Sequence, residues 1–281
     1  MARPLSPLAE LLRRRDPDRF QTALFAPAAH REALFAIYAF NSEIARVREI
    51  ASLPMLGRIR LEWWRETIAA SYEEAPPRRH IVALPLTQAI RERALARAHF
   101  ERLIAARESD LAAEPPPDLD ALEAYAAASS ASLVELALEV LGASGAEARE
   151  AGTHIGIAYA LAGLLRAMPF WGGRGRPFIP EDIARKTGLR ERDIAARRSS
   201  PALSAAAAEI AAAAAAHLES ARRKRQRVPR SALPALLPAV IAARALTRLR
   251  RAGCDPFAPA LAAPDPFQSW RLLWASLTNR F

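Results

Sequence analysis

Lysine is almost missing from this chain. Lys186 and Lys224 are the only two in 281 residues, so a formal net charge of +10 rests on arginine. Heavy arginine and alanine usage fits a GC-rich genome as much as a function, but a basic balance favours anionic membrane surfaces or phosphate-bearing ligands. Cysteine is scarcer still: Cys254 stands alone, which excludes an intramolecular disulfide and a cysteine-based metal site. Glycine occurs 11 times and period-2 alternation is rare, which argues against sheets. No apolar run reaches the roughly 20 residues that span a bilayer. The first residues have no signal-peptide apolar core, and early Glu10, Asp16 and Asp18 make a poor transit peptide. The expected location is the cytosol, or the periphery of the inner membrane.

What is present is a globular composition, 51% hydrophobic and 25% charged, with the 3.6-residue periodicity of helices. The pattern predicts helices over 28–51, 56–72, 86–111, 119–141, 146–168, 204–227 and 231–252. Pro76-Pro77 and Pro115 to Pro117 mark loops, because proline lacks an amide donor and disfavours helix in the residue before it. Pro169 is expected to stop the fifth helix. No long linker separates these segments, so residues 1–281 read as one all-α domain, with residues 264–281 as an aromatic tail helix.

Several polar residues invite two readings. Tyr38 and Tyr159 suit a ligand cavity, yet tyrosines on apolar helix faces more often sit in cores. Arg166 follows Leu164 and Leu165 and, if buried, needs an anionic partner: a carboxylate such as Glu49, or a ligand phosphate. Arg174 and Arg176 lie in a glycine-rich loop without a P-loop pattern. Glu135 and Glu139, one turn apart, read as an exposed stripe rather than a metal pair. Trp63 and Trp64 alternate with arginines; one is expected in the core and the other beneath arginine stems, so nucleic-acid binding is not favoured. The basic run 222–227 reads as a solvated helix end. The five histidines have no metal-ligand spacing. In the tail, Phe267, Trp270, Trp274, Leu277 and Phe281 share a helical face, expected either to dock on the domain or to enter a membrane interface.

Two segments, Tyr38 to Glu49 and Gly156 to Trp171, carry a resemblance. With Phe20, Pro27, Phe40, Arg166, Arg176 and Pro180 at consistent spacing, they resemble the two site helices of the squalene/phytoene synthase family, from about Asp18 to about Phe257. The resemblance implies an all-α isoprenoid-synthase-type bundle with a central cavity. In that family, aspartates one turn apart on each helix hold magnesium ions that bridge to a prenyl diphosphate. Here those four positions are Ala45, Glu49, Ala167 and Trp171, Arg46 stands beside the first, and Ala160 and Gly163 replace amide side chains upstream. Only Glu49 remains a carboxylate, and therefore the one retained metal candidate; alanine offers no ligand and tryptophan only an N–H donor. Trp171 would plug the diphosphate position.

These substitutions, and the stretch Leu164 to Phe170, are similar to the family's non-catalytic branch around a mitochondrial complex I assembly factor. That implies a pseudoenzyme without a cofactor, working with respiratory complex I subunits or assembly factors at a membrane surface. Two alternatives stay open. One is an active head-to-head prenyl transferase, which needs magnesium and would recruit Glu43, Glu181 or Asp182 to help Glu49. The other is an isoprenoid or lipid carrier whose cavity uses Tyr38, Asn41, Arg46, Tyr159, Arg166 and Arg176, with the arginines holding phosphate directly.

Overall fold

Helix α3 (Ala28–Ala45) is buried on every side from Leu34 to Ile44, the signature of a helix at the centre of a bundle rather than on its surface. In the computed structural model, which describes residues 4–50, 53–73, 75–111, 114–171 and 178–281, the other helices pack around it. The protein is 76% helical with no strand among the described residues, so the all-α expectation holds. Before α3 come α1 (Pro7–Arg15) and α2 (Pro17–Ala23), started by the side chains of Ser6 and Asp16, which accept the Ala9 and Arg19 N–H groups. After it come α4 (Val47–Ile50), α5 (Pro54–Ser71), α6 (Ala83–Arg93) and α7 (Arg97–Ser109). Phe40 meets Trp64 and Phe100 edge-on, with ring centroids 5.2 and 5.5 Å apart, tying α3, α5 and α7 together. Trp64 is in the core, while Trp63 lies under the Arg78 guanidinium at 5.1 Å, as its sequence context suggests.

The second half contains α8 (Leu119–Ala126), a π-helical turn at Ala127–Ala131, α9 (Ser132–Val140), α10 (Ala146–Trp171), α11 (Glu181–Thr187), α12 (Glu191–Ala195) and α13 (Pro201–Lys224). Then follow α14 (Leu233–Leu236), α15 (Pro238–Arg251), α16 (Pro259–Ala262) and α17 (Gln268–Thr278). Gly156 is where α10 crosses the π-helical turn: a Cβ there would lie 2.4 Å from Ala131 Cα and 2.6 Å from its nitrogen, so only glycine fits. By length and composition alone α13 is apolar enough to cross a membrane, with a mean hydropathy of 1.3 in its best window. In the fold it packs along α10 and α15, burying Leu203, Ile210 and Leu218.

Four expected boundaries change. The helix expected over 28–51 breaks at Arg46, where Val47 turns in to be buried beside Gly57 of α5, so Ala45 and Glu49 are on separate helices. The helix expected over 86–111 is two, turned at Ala94 with φ of 49°; the corner is held by the Tyr72 hydroxyl donating to Leu95 O at 2.7 Å and by the Ala96 N–H donating to Glu139 at 2.9 Å. Neither glycine nor proline marks that corner in the sequence. The helix expected to stop at Pro169 carries it inside and ends at Trp171. The helix expected over 231–252 is bent by 43° between α14 and α15.

Glu135 and Glu139 are not an exposed stripe. Glu135 is buried at 8% exposure, and Glu139 caps the start of α7 from across the bundle. Burial raises the Glu135 carboxyl pKa. Burial also opposes ionisation of Glu139, but hydrogen bonds from His99 and the Ala96 N–H outweigh it and hold that carboxyl below its usual range.

Candidate functional site

A cavity of about 1130 Å³ opens between the α1–α2 junction, the end of α3 with α4, helix α10, helix α15 and the segment leading into α17. Each wall follows from local structure. Asp16 ends α1 and caps α2, and the same carboxylate takes the Arg19 guanidinium at 3.0 Å, pinning it over the Tyr159 ring at 4.8 Å. On α10, Tyr159, Gly163 and Arg166 recur at one-turn spacing and face the cavity together with Ala162 and Ala167.

Most positions singled out in the sequence reach this one space. Asn41, Ala45, Arg46, Glu49, Tyr159, Arg166 and Ala167 all line it. Tyr38 does not: it is 3% exposed, packed in the core with Arg19 5.9 Å from its ring, so it is a core residue rather than a cavity residue. The side chain of Trp171 and all of Arg174 and Arg176 lie outside the described residues, so the plug and the loop arginines have no structural account here. Glu43 is taken by Arg15 and lies 3.8 Å from Arg60, away from the cavity wall. Glu181 and Asp182 begin α11, also away from that wall, so none of the three joins Glu49.

Arginine and carboxylate chemistry dominates the wall. Nine arginines and four carboxylates line it, and every one of those carboxylates faces a guanidinium. Asp16 holds Arg19, and Glu49 lies 3.7 Å from Arg46. Asp18 takes Arg166 at 2.9 Å, Gln268 at 2.9 Å and the Tyr159 hydroxyl at 3.4 Å. Asp265 takes Arg244 at 3.2 Å and Arg271 at 3.3 Å. Burial works against ionisation of Asp265, but the Phe267 N–H and the guanidiniums of Arg271, Arg244 and Arg248 overcome it and lower its pKa. Burial, together with the charges of Asp18 and Asp16, raises the Tyr159 hydroxyl pKa and keeps it protonated.

Sequence reasoning missed Asp18 as the partner of Arg166, and missed Arg19, Arg107 and the Asp265 cluster. Arg244 and Arg248, one turn apart on a helix, were the available signal. The tail is also resolved differently. Helix α17 docks on the bundle through Leu272 and Ala275, with Phe281 buried after it, while Phe267, Trp270, Trp274 and Leu277 face outward at 60–69% exposure. His154 and His217 meet with their Nδ1 atoms 2.8 Å apart, away from the cavity wall, yet among the described residues no three His, Cys, Asp or Glu side chains converge as a metal site.

An all-α bundle with a polar central cavity of this form is an isoprenoid-synthase-type fold. A dehydrosqualene synthase solved with a ligand superposes with a TM-score of 0.83 at 14% identity, covering 96% of this chain and 94% of that one. The family model for squalene/phytoene synthase matches residues 12–277, and the chain belongs to that family. It is 33% identical over 269 residues to human NADH dehydrogenase (ubiquinone) complex I, assembly factor 6, covering 93% of this chain and 80% of the relative. It is 29% identical over 211 residues to presqualene diphosphate synthase of Rhodopseudomonas palustris (strain ATCC BAA-98 / CGA009), covering 74% of each.

The donor set of the cavity does not fit the magnesium cluster that the family's enzymes imply. Magnesium needs several oxygen ligands in near-octahedral array. Ala45 and Ala167 supply none, Glu49 is on a separate helix from Ala45 beside Arg46, and the other wall carboxylates are engaged by guanidiniums.

Proposed function

We propose that this chain is a pseudoenzyme of the squalene/phytoene synthase family that assists assembly of a respiratory NADH:ubiquinone oxidoreductase at a membrane surface, without a metal cofactor. The observation that carries the reading is the pairing of every cavity carboxylate with an arginine. A transferase must neutralise a departing diphosphate with metal, and carboxylates already tied to cations are poor ligands for it. The similarity to the human assembly factor supports the choice of client, so the proposed partners are complex I subunits or their assembly factors. The outward row Phe267, Trp270, Trp274 and Leu277 supports the membrane surface: aromatic rings beside Arg271 suit an interface with anionic lipid. The proposed location is therefore the cytoplasmic side of the inner membrane.

Deleting the gene and measuring membrane NADH oxidation together with intact complex I tests this. The expected result is loss of both, restored by the wild-type chain and by Glu49→Ala; normal complex I overturns the assembly role. The second reading, an active head-to-head prenyl transferase, is favoured by the similarity to presqualene diphosphate synthase. Magnesium-dependent turnover of farnesyl diphosphate is its readout.

A further inference from the structure

We infer that the basic end of α13 and the outward row of α17 form one footprint for an anionic lipid surface. Arginines there meet lipid phosphates, and the aromatic rings enter the interface beside them. This footprint rests on the membrane location proposed above and gives it a lipid charge and a second set of contacting residues. Charge sets the region apart. Residues 220–254 hold ten basic side chains and no carboxylate, and residues 266–281 hold Arg271 and Arg280 with no acidic side chain. Arg223, Arg227, Arg230 and Arg280 are exposed, and Arg225 is partly exposed. Glu219 takes Arg222 at 3.0 Å, and Glu150 takes Lys224 at 2.7 Å. Among the described residues no carboxylate pairs with Arg223, Arg225, Arg227, Arg230 or Arg280.

The helix dipole does not account for these charges. Its field falls off within the last turn, and α13 ends at Lys224. Arg225 and Arg227 lie in a 3₁₀ turn after it, and Arg230 begins another. Val228 is buried between them, which anchors the segment while Arg227 and Arg230 stay exposed.

A direct contact joins this cluster to the aromatic row. Arg222 Nε donates to the Phe281 carbonyl at 3.3 Å, so the segment after α17 abuts the end of α13. Helix α17 buries only Leu272 and Ala275, and Trp270, Trp274 and Leu277 stand exposed. An exposed apolar row of this size marks an interaction surface, and its neighbours decide which kind. Tryptophan suits the headgroup level of a bilayer, and an amphipathic helix with a basic polar face lies in the interface plane. A cluster of roughly 4–8 basic residues beside such a helix fits anionic lipid. An apolar groove on a protein would use the row and leave the arginines without partners, whereas an anionic bilayer engages both.

The test is flotation of the full chain with two kinds of vesicle, phosphatidylcholine alone and phosphatidylcholine mixed with phosphatidylglycerol. Binding to the anionic vesicles is expected to be about tenfold tighter or more, and to weaken as salt is added. Each arginine at a charged surface contributes about fivefold, so the triple variant R225Q/R227Q/R230Q should weaken that binding by about tenfold or more. The double variant W270S/W274S should weaken it to a similar degree, while Arg102→Gln on α7 leaves it unchanged. Circular dichroism checks folding; should either multiple variant unfold, Arg227→Gln or Trp274→Ser alone gives the readout. Equal binding to the two vesicles, or full affinity in the folded variants, overturns the inference. Binding to neither vesicle also overturns it and gives the surface to a protein partner. Complex I levels in the deletion strain report on the assembly role separately: normal complex I with intact vesicle binding removes that role alone, and lost complex I without vesicle binding removes the footprint alone.

Discussion

Helix α10 meets opposite constraints at two levels of one face. Toward α8–α9 it admits no atom: the Cβ missing from Gly156 would collide with the Ala131 backbone. Two turns further on, at the level of the cavity, Gly163 has nothing within 4 Å of the place a Cβ would occupy. The packed level fixes where the helix sits. The cavity level carries Gly163 and Ala167, which offer no side-chain ligand, on the same frame. Packing and side-chain chemistry on one helix are therefore separable.

The largest effect expected from that contrast is at Gly156. Gly156→Ala sets a methyl against backbone that cannot yield as a flexible side chain would, and should cost about 3 kcal/mol, several degrees in Tm. A thermal melt unchanged by this substitution would mean that α10 can shift, and the contrast between its two levels would fail. A smaller effect is expected at the cavity level of the same helix. Asp18→Asn removes the carboxylate that holds Arg166, Tyr159 and Gln268. Arg166 is 41% exposed, so water takes up part of the loss and the cost is about 1–2 kcal/mol by denaturant titration. The smallest has the opposite sign. Gly163→Ala fills open space in a helix interior and should stabilise by about 0.5–1 kcal/mol; destabilisation there would show the cavity level to be constrained after all.

How far the sequence could be read follows the same division. The helical character of α3 and one core tryptophan in the Trp63–Trp64 pair were legible, because periodicity is a local signal, and family spacing pointed to Ala45, Glu49 and Ala167, which line one cavity. The partner of Arg166 was not, because Asp18 is 148 positions away and only the fold brings it to 2.9 Å. Asp265 was hidden for the same reason, lying between two prolines in a stretch that reads as a turn. The Arg46 break was missed because nothing in the local sequence stops a helix there; the burial of Val47 against α5 makes it. Glu139 looked solvent-facing by periodicity, but the Ala96 N–H at a helix start 43 residues earlier needed an acceptor.

The pseudoenzyme proposal holds that the family frame persists here without its metal-dependent reaction. Incubating the purified chain with farnesyl diphosphate and magnesium, and measuring released diphosphate, tests it directly. Release no greater than from Glu49→Ala is expected. Magnesium-dependent release above that control would contradict it.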